Sequence, residues 1–286
     1  MSYGRQIAIW DTSAINKLAD RSDQNALIAG MRITHEHWIP IDLLVEIAAT
    51  PTDKRRQQLL EVCRSLHAST GRIPWSASIL LKGAINLFAN LGEIDWEILL
   101  ASQAEFERAI TDGTLFNDDL AKAQRAETSS RLRSGEEFFG QIEEPYRRHF
   151  QNGASEYKTL DEFIALCRSK GLIRDTVRSL YSEFLGRSVD IDEADRLAAV
   201  FLPVEAVSYA FAIAHYHRNE LPQPKKGKPA GILDLMASAF LPVCQLYVSD
   251  DFDQQVILRE VVECCQTQTK VIRFEDYAET FAVSLH

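Results

Sequence analysis

GILDLMASAFLPVCQLYVSDDFD, residues Gly231 to Asp253, runs an apolar helical segment into an apolar strand and ends the strand in acids. Asp234 sits early in the helical part. After Pro242, Cys244 to Val248 reads as a short buried strand, closed by Ser249, Asp250 and Asp251. In an open α/β sheet, ligands bind in the crevice outside the carboxyl ends of the strands, so acids at a strand end mark a site. Several carboxylates in one place repel each other, and a hard cation with oxygen ligands, such as Mg²⁺ or Mn²⁺, relieves that repulsion. The flanking sequence is then a search for the remaining acids.

On the amino-terminal side, Ile7 to Trp10 is an apolar, β-branched run that stops at Asp11-Thr12-Ser13, whose hydroxyls suit the N-cap of a helix over Ala14 to Ala19. Trp38 to Ile41 reads as a second strand. Asp42 then caps a helix that buries Leu43, Leu44, Ile47 and Ala48 and carries Glu46 in its first turns. Asp53 to His67 is amphipathic, and Ala77 to Asn90 is strongly helical and stops at Gly92. From Glu93 to about Leu202 the pattern is nearly all helical, with a polar stretch at Gln124 to Gly135 that reads as a hinge or an exposed helix. Val204 to His217 is an apolar helix, and Leu221 to Ala230 a Pro/Gly/Lys loop. The helix after Asp253 leads to a last strand, Lys270 to Phe274, and a closing helix, Glu275 to Phe281. Strands at both ends with helices between them predict a three-layer α/β/α domain with a central parallel sheet, formed by residues 1–92 and 204–286, and an all-helical insertion at 93–203.

Composition narrows the function classes. With 286 residues, 46% of them apolar and 25% charged, the chain has the make-up of a soluble globular protein able to bury a large core. No apolar run is long enough to span a bilayer, and Ile7 to Trp10 is too short for the apolar part of a signal peptide, so a cytoplasmic protein with no membrane association is expected. Five cysteines at scattered positions form no CxxC pair, and His215 and His217 have no Cys/His partners at zinc spacing, so reduced thiols and packed histidines are expected. A net charge of −10 excludes a protein held to nucleic acid by overall charge. Local contacts remain available: Lys225, Lys226 and Lys228 precede the helix of Asp234, where they either reach phosphates at the site mouth or form a solvated basic loop.

The order of these features resembles the PIN-domain nucleases. Ile9-Trp10-Asp11-Thr12-Ser13, with Asn16 nearby, matches the family's apolar strand running into Asp and a hydroxyl residue; Glu46 matches the acid in the helix after the second strand; Asp234, ahead of Ala237 and Ala239, matches the acid opening an Ala-rich helix. Ser249, Asp251 and Asp253 fall in register with the closing motif, with Asp250 at its variable position. Small PIN toxins lack an insertion of this size, so their biological role does not carry over. The resemblance implies a nuclease that hydrolyses phosphodiester bonds, in RNA more than DNA. It implies Mg²⁺ or Mn²⁺ held by Asp11, Asp234, Asp251 and Asp250, and a catalytic set of Asp11, Glu46, Asp234 and Asp251. Thr12, Ser13, Asn16, Ser249 and Asp253 would orient the carboxylates, and Lys225, Lys226 and Lys228 would contact nucleic acid. Two other readings stay open, a structure-selective DNA nuclease of related fold and a non-catalytic scaffold. The insertion is a lid, a substrate clamp, or a surface for a protein partner or a second copy.

Overall fold

A computed structural model describes residues 5–68, 71–112, 140–150, 157–219 and 231–282. At its centre lie β1 (Gln6–Trp10), β2 (His35–Trp38), β3 (Leu246–Ser249) and β4 (Lys270–Arg273), in the spatial order β2-β1-β3-β4 with each neighbouring pair parallel. The chain is therefore α/β, with helix predominating. Gln6 stands opposite His35, Ala8 opposite Leu246, and Leu246 opposite Lys270. Side chains alternate across a strand, and here the alternation separates two cores. Ile9, Trp38, Tyr247 and Val271 enter one cluster, while Trp10, Ile39, Val248 and Ile272 enter the other. Burial on both faces is the usual condition of a parallel sheet, and it makes β1 and β3 legible as unbroken apolar runs.

From β1 the chain moves to β2 on one side, and β3 and β4 are added on the other. Strand order thus reverses between β1 and β3, which opens a crevice at their carboxyl ends. Helix α1 (Thr12–Ala19) starts directly off β1, with Asp11 as N-cap. Then come α2 (Gln24–Thr34), α3 (Ile41–Ala48), α4 (Asp53–His67) and α5 (Ala77–Leu91), the last ending at Gly92, whose φ of 75° suits a residue without Cβ.

Four local expectations shift. The second strand is His35–Trp38, earlier than Trp38 to Ile41, since Pro40 has no N–H to continue a ladder and becomes the N-cap of α3. Its polar sequence is masked by partners: Trp10 Nε1–H donates to His37 Nδ1 at 3.0 Å, and Tyr277 Oη lies 3.1 Å from His35 Nδ1. Asp42, within the first turn of α3, does not cap it; Asp42 Oδ2 accepts from Ala77 N–H at 2.9 Å and serves α5. The segment of Asp234 is one α-helical turn, Ile232–Met236, followed by a 3₁₀ helix, Ala237–Val243, in which Pro242 lacks a donor. The strand after it begins at Leu246 instead of Cys244.

The middle of the chain is helical where it is described, including Leu160–Ser169, Leu172–Leu185 and Ile191–Val200. Phe163, Tyr181 and Leu197 of these helices belong to the same apolar cluster as Ile9 and Tyr247 of the sheet. The polar stretch Gln124 to Gly135 and the loop Leu221 to Ala230 lie outside the described residues. Among the described residues no single helix is long and apolar enough to cross a membrane, and the five cysteines are free thiols.

Candidate functional site

The tips of β1 and β3 lie side by side at the reversal point. Trp10 opposes Val248, and Asp11 N–H donates to Val248 O at 2.9 Å, extending the ladder by one residue. This places the Asp11 carboxylate at the crevice. Its Oδ2 accepts from Ser13 N–H at 2.9 Å and from Ser13 Oγ–H at 2.5 Å, while Ser13 Oγ accepts from Asp250 N–H at 2.7 Å. Ser13 therefore ties the first strand tip to the third.

Glu46 arrives from α3, one helical turn beyond Asp42 and on the same face. Thr12 Oγ–H donates to Glu46 Oε2. Asp234 arrives from the other side of the crevice: its Oδ2 accepts from Gly231 N–H at 2.7 Å and its Oδ1 from Gln254 Nε2–H at 3.3 Å. Gln254 is buried, and its Oε1 accepts from Ser249 Oγ–H at 2.7 Å, so one amide links the third strand tip to Asp234. Asp11, Asp42, Glu46 and Asp234 together line a cavity of about 40 Å³, with Thr12, Tyr247 and Gln254 among its other walls. No Lys, Arg or His side chain belongs to this lining among the described residues.

The electrostatics follow from that geometry. Burial pushes Glu46 up to about 7, and the charges of Asp11, Asp234 and Asp42 push the same way against the Thr12 hydrogen bond. Burial likewise raises Asp234 to about 6, with Asp11 and Asp251 adding to it and the Gly231 N–H opposing. Tyr247, buried beneath, is raised well above the usual phenol value by burial and then by Asp11, Asp234 and Glu46. Three carboxylates taken from distant parts of the sequence thus feel one another across one small space.

The other expected residues take different places. Asp251 is the N-cap of the helix Phe252–Cys265, accepting from Gln254 N–H at 3.0 Å; its charge acts on Asp234, although it is not part of the cavity wall. Asp250 is largely buried beside the strand tip but is not part of the cavity wall, and its Oδ2 lies 3.4 Å from Lys17 Nζ. Asn16 touches no carboxylate of the site: its Nδ2–H donates to Thr12 O and its Oδ1 accepts from Arg55. Ser249 lies 3.4 Å from Asp11 Oδ2, and Asp253 is half-buried outside the cavity wall. Lys225, Lys226 and Lys228 lie outside the described residues. Among the wall residues not singled out as site residues by sequence are Asp42 and Gln254. Asp42 carried a signal in its i, i+4 spacing to Glu46, and Gln254 in its place three residues after the capping Asp251, where a capping box puts Glu or Gln.

Among the described residues, no group of three or more His, Cys, Asp or Glu side chains stands at the spacing that would hold a metal ion. Each carboxylate is instead turned onto a local donor, Asp11 onto Ser13, Glu46 onto Thr12, and Asp234 onto Gly231 and Gln254. Comparison with protein-family models, with curated proteins and with solved structures found no match.

Proposed function

We propose that the chain is a nuclease dependent on Mg²⁺ or Mn²⁺, built on a PIN-like three-layer domain with a helical insertion, and that it hydrolyses phosphodiester bonds in RNA. One observation supports this above the others: Asp11, Asp42, Glu46 and Asp234 share a cavity with no basic side chain in its described wall, at the order reversal of a parallel sheet. Buried like charges need a positive counterpart, and an all-oxygen donor set suits a hard cation. Asp11 and Asp234, with Asp251 at the rim, are the residues that would hold it. The chemistry such an ion would supply when bound is neutralisation of charge on the phosphoryl group and acidification of water. Glu46, held by Thr12 and raised to about 7 by its burial, would be the group to take up a proton at its carboxylate near neutral pH. Ser13 keeps Asp11 in position, and Gln254 does the same for Asp234. RNA is named over DNA on the PIN resemblance alone.

The test is cleavage of end-labelled single-stranded RNA and of branched DNA in Mn²⁺, Mg²⁺ or EDTA, beside folded Asp11→Asn and Asp234→Asn variants. Metal-dependent cleavage of the RNA, reduced at least about a hundredfold in both variants, is the expected result. Preference for the branched DNA would replace the substrate and keep the chemistry. A second reading, a non-catalytic scaffold, is supported by the carboxylate spacing and by the net charge of −10. It prevails if the wild type cuts neither substrate and calorimetry finds no Mn²⁺ binding that the variants lose.

A further inference from the structure

Of the side chains that line the cavity, four carry a permanent N–H or O–H: Trp10, Thr12, Tyr247 and Gln254. Three of them already donate within the protein. Trp10 Nε1–H serves His37, Thr12 Oγ–H serves Glu46, and Gln254 Nε2–H serves Asp234. Tyr247 is the exception. It is 3% exposed, and among the described residues its hydroxyl makes no hydrogen bond. Buried tyrosine hydroxyls ordinarily find a partner, so an idle one calls for a reason.

Its position supplies one. Tyr247 lies on β3 two residues before Ser249, where its ring packs in the core cluster of Ile9 and also forms part of the cavity wall. Phenylalanine would fill that core space equally well; what tyrosine adds is one O–H at the cavity. The hydroxyl feels the charges of Asp11, Asp234 and Glu46, and it keeps its proton because burial and those charges both oppose its loss. The site thus holds one uncommitted donor among acceptors. Water brings two hydrogens of its own and is served by carboxylates. A phosphoryl oxygen brings only lone pairs and must be given a hydrogen, and no Lys, Arg or His side chain belongs to the described wall to give one.

We propose that Tyr247 contacts the substrate, its O–H donating to a non-bridging oxygen of the phosphate at the bond that is cut. The inference rests on the nuclease reading above and adds a residue to it. Asp11 and Asp234 would act on the phosphate only through an ion, whereas Tyr247 acts on it directly. The two contributions therefore separate by substitution.

Tyr247→Phe in the full chain removes the one oxygen and keeps the ring. With Ca²⁺ in place of Mn²⁺, fluorescence anisotropy should show the Kd for a labelled single-stranded RNA decamer rising about tenfold. In Mn²⁺, kcat/KM for its cleavage should fall about tenfold or more, as for a lost hydrogen bond to a charged group. Calorimetric affinity for Mn²⁺ without RNA should stay within about twofold, which sets Tyr247→Phe apart from Asp234→Asn. The variant should melt at or above the wild-type temperature, because no protein group loses a hydrogen bond. If Tyr247→Phe melts clearly below wild type or loses Mn²⁺ affinity, the hydroxyl serves the fold or the acids, and the phosphate contact is overturned. If the variant binds and cuts the RNA as wild type does, the phosphate contact is overturned while the nuclease reading stands. A wild type that neither binds nor cuts the decamer overturns both.

Discussion

Glu46 and Asp234 are charged groups that the fold disfavours, and this has a consequence for stability. Both have folded values above their ordinary ones, Glu46 at about 7 and Asp234 at about 6. Between pH 4.5 and 7 the folded state therefore binds more protons than the unfolded state, so stability falls as pH rises through that window and is lowest above it. At about 1.4 kcal/mol per unit, Glu46→Gln should stabilise the protein by about 3–4 kcal/mol at pH 8 and by nearly nothing at pH 4, as read by denaturant melts at the two pH values. An equal gain at both would show that Glu46 is not strained by its charge. If an ion is the missing counterpart, Mn²⁺ should raise the melting temperature at pH 8 more than at pH 5, and Asp234→Asn should abolish the difference. At this scale the acids were legible because strand-tip Asp followed by hydroxyl residues is a local pattern. The pairing of Asp250 with Lys17 could not be read in the same way, because Lys17 comes from the far end of the chain and no local pattern announces it.

Single helices and strands carry a second layer of argument, since several site residues also hold an element in place. Asp251 is both the cap of the helix Phe252–Cys265 and a charge acting on Asp234, and the two roles separate by substitution. Asp251→Asn keeps a good cap and should leave stability within about 0.5 kcal/mol, whereas Asp251→Ala should lower it by about 1 kcal/mol. If Asp251 also serves a cation, both variants lose the Mn²⁺-dependent rise in melting temperature, which separates charge from capping. Between α4 and α5, Gly71 is fixed by crowding: a Cβ there would lie 2.5 Å from His37 O and 2.8 Å from His67 Cα. Gly71→Ala should therefore destabilise by about 2 kcal/mol or more, since backbone of β2 or α4 must move to admit it; a melt within error of wild type would show that this turn yields freely. Elements with uniform apolar character, β1 and β3, could be read directly. The strand His35–Trp38 could not, because its histidines count as polar until Trp10 and Tyr277 are known to meet them.

At the scale of the whole molecule, the sequence suggests a sheet domain with a separate helical insertion, and the packing joins them. Tyr181, from the inserted region, is fully buried with its ring centroid 6.3 Å from that of Phe88 on α5. Arg168 donates through Nε–H to Tyr209 Oη at 2.7 Å and through Nη2–H to Cys264 O at 3.0 Å, so a side chain of the insertion binds two helices that belong with the sheet. Hydropathy periods could show that these segments are helices, but not which apolar faces meet, because that depends on contacts far apart in sequence. A shared core makes unfolding shared. Tyr181→Ala removes a large buried ring and should cost about 3–5 kcal/mol. The loss should appear equally in far-UV circular dichroism, which follows the helices, and in tryptophan fluorescence, which includes Trp10 and Trp38 on the sheet, with the two transitions remaining coincident. The Arg168→Ala variant should shift both in the same direction by a smaller amount. Should Tyr181→Ala instead split the transitions, with the fluorescence change staying at the wild-type midpoint, the insertion folds by itself and the carboxylate site does not depend on it. Coincident transitions would mean that the site at the tips of β1 and β3 is held partly by helices on the far side of the same core, and that a partner gripping those helices would bear on it through packing.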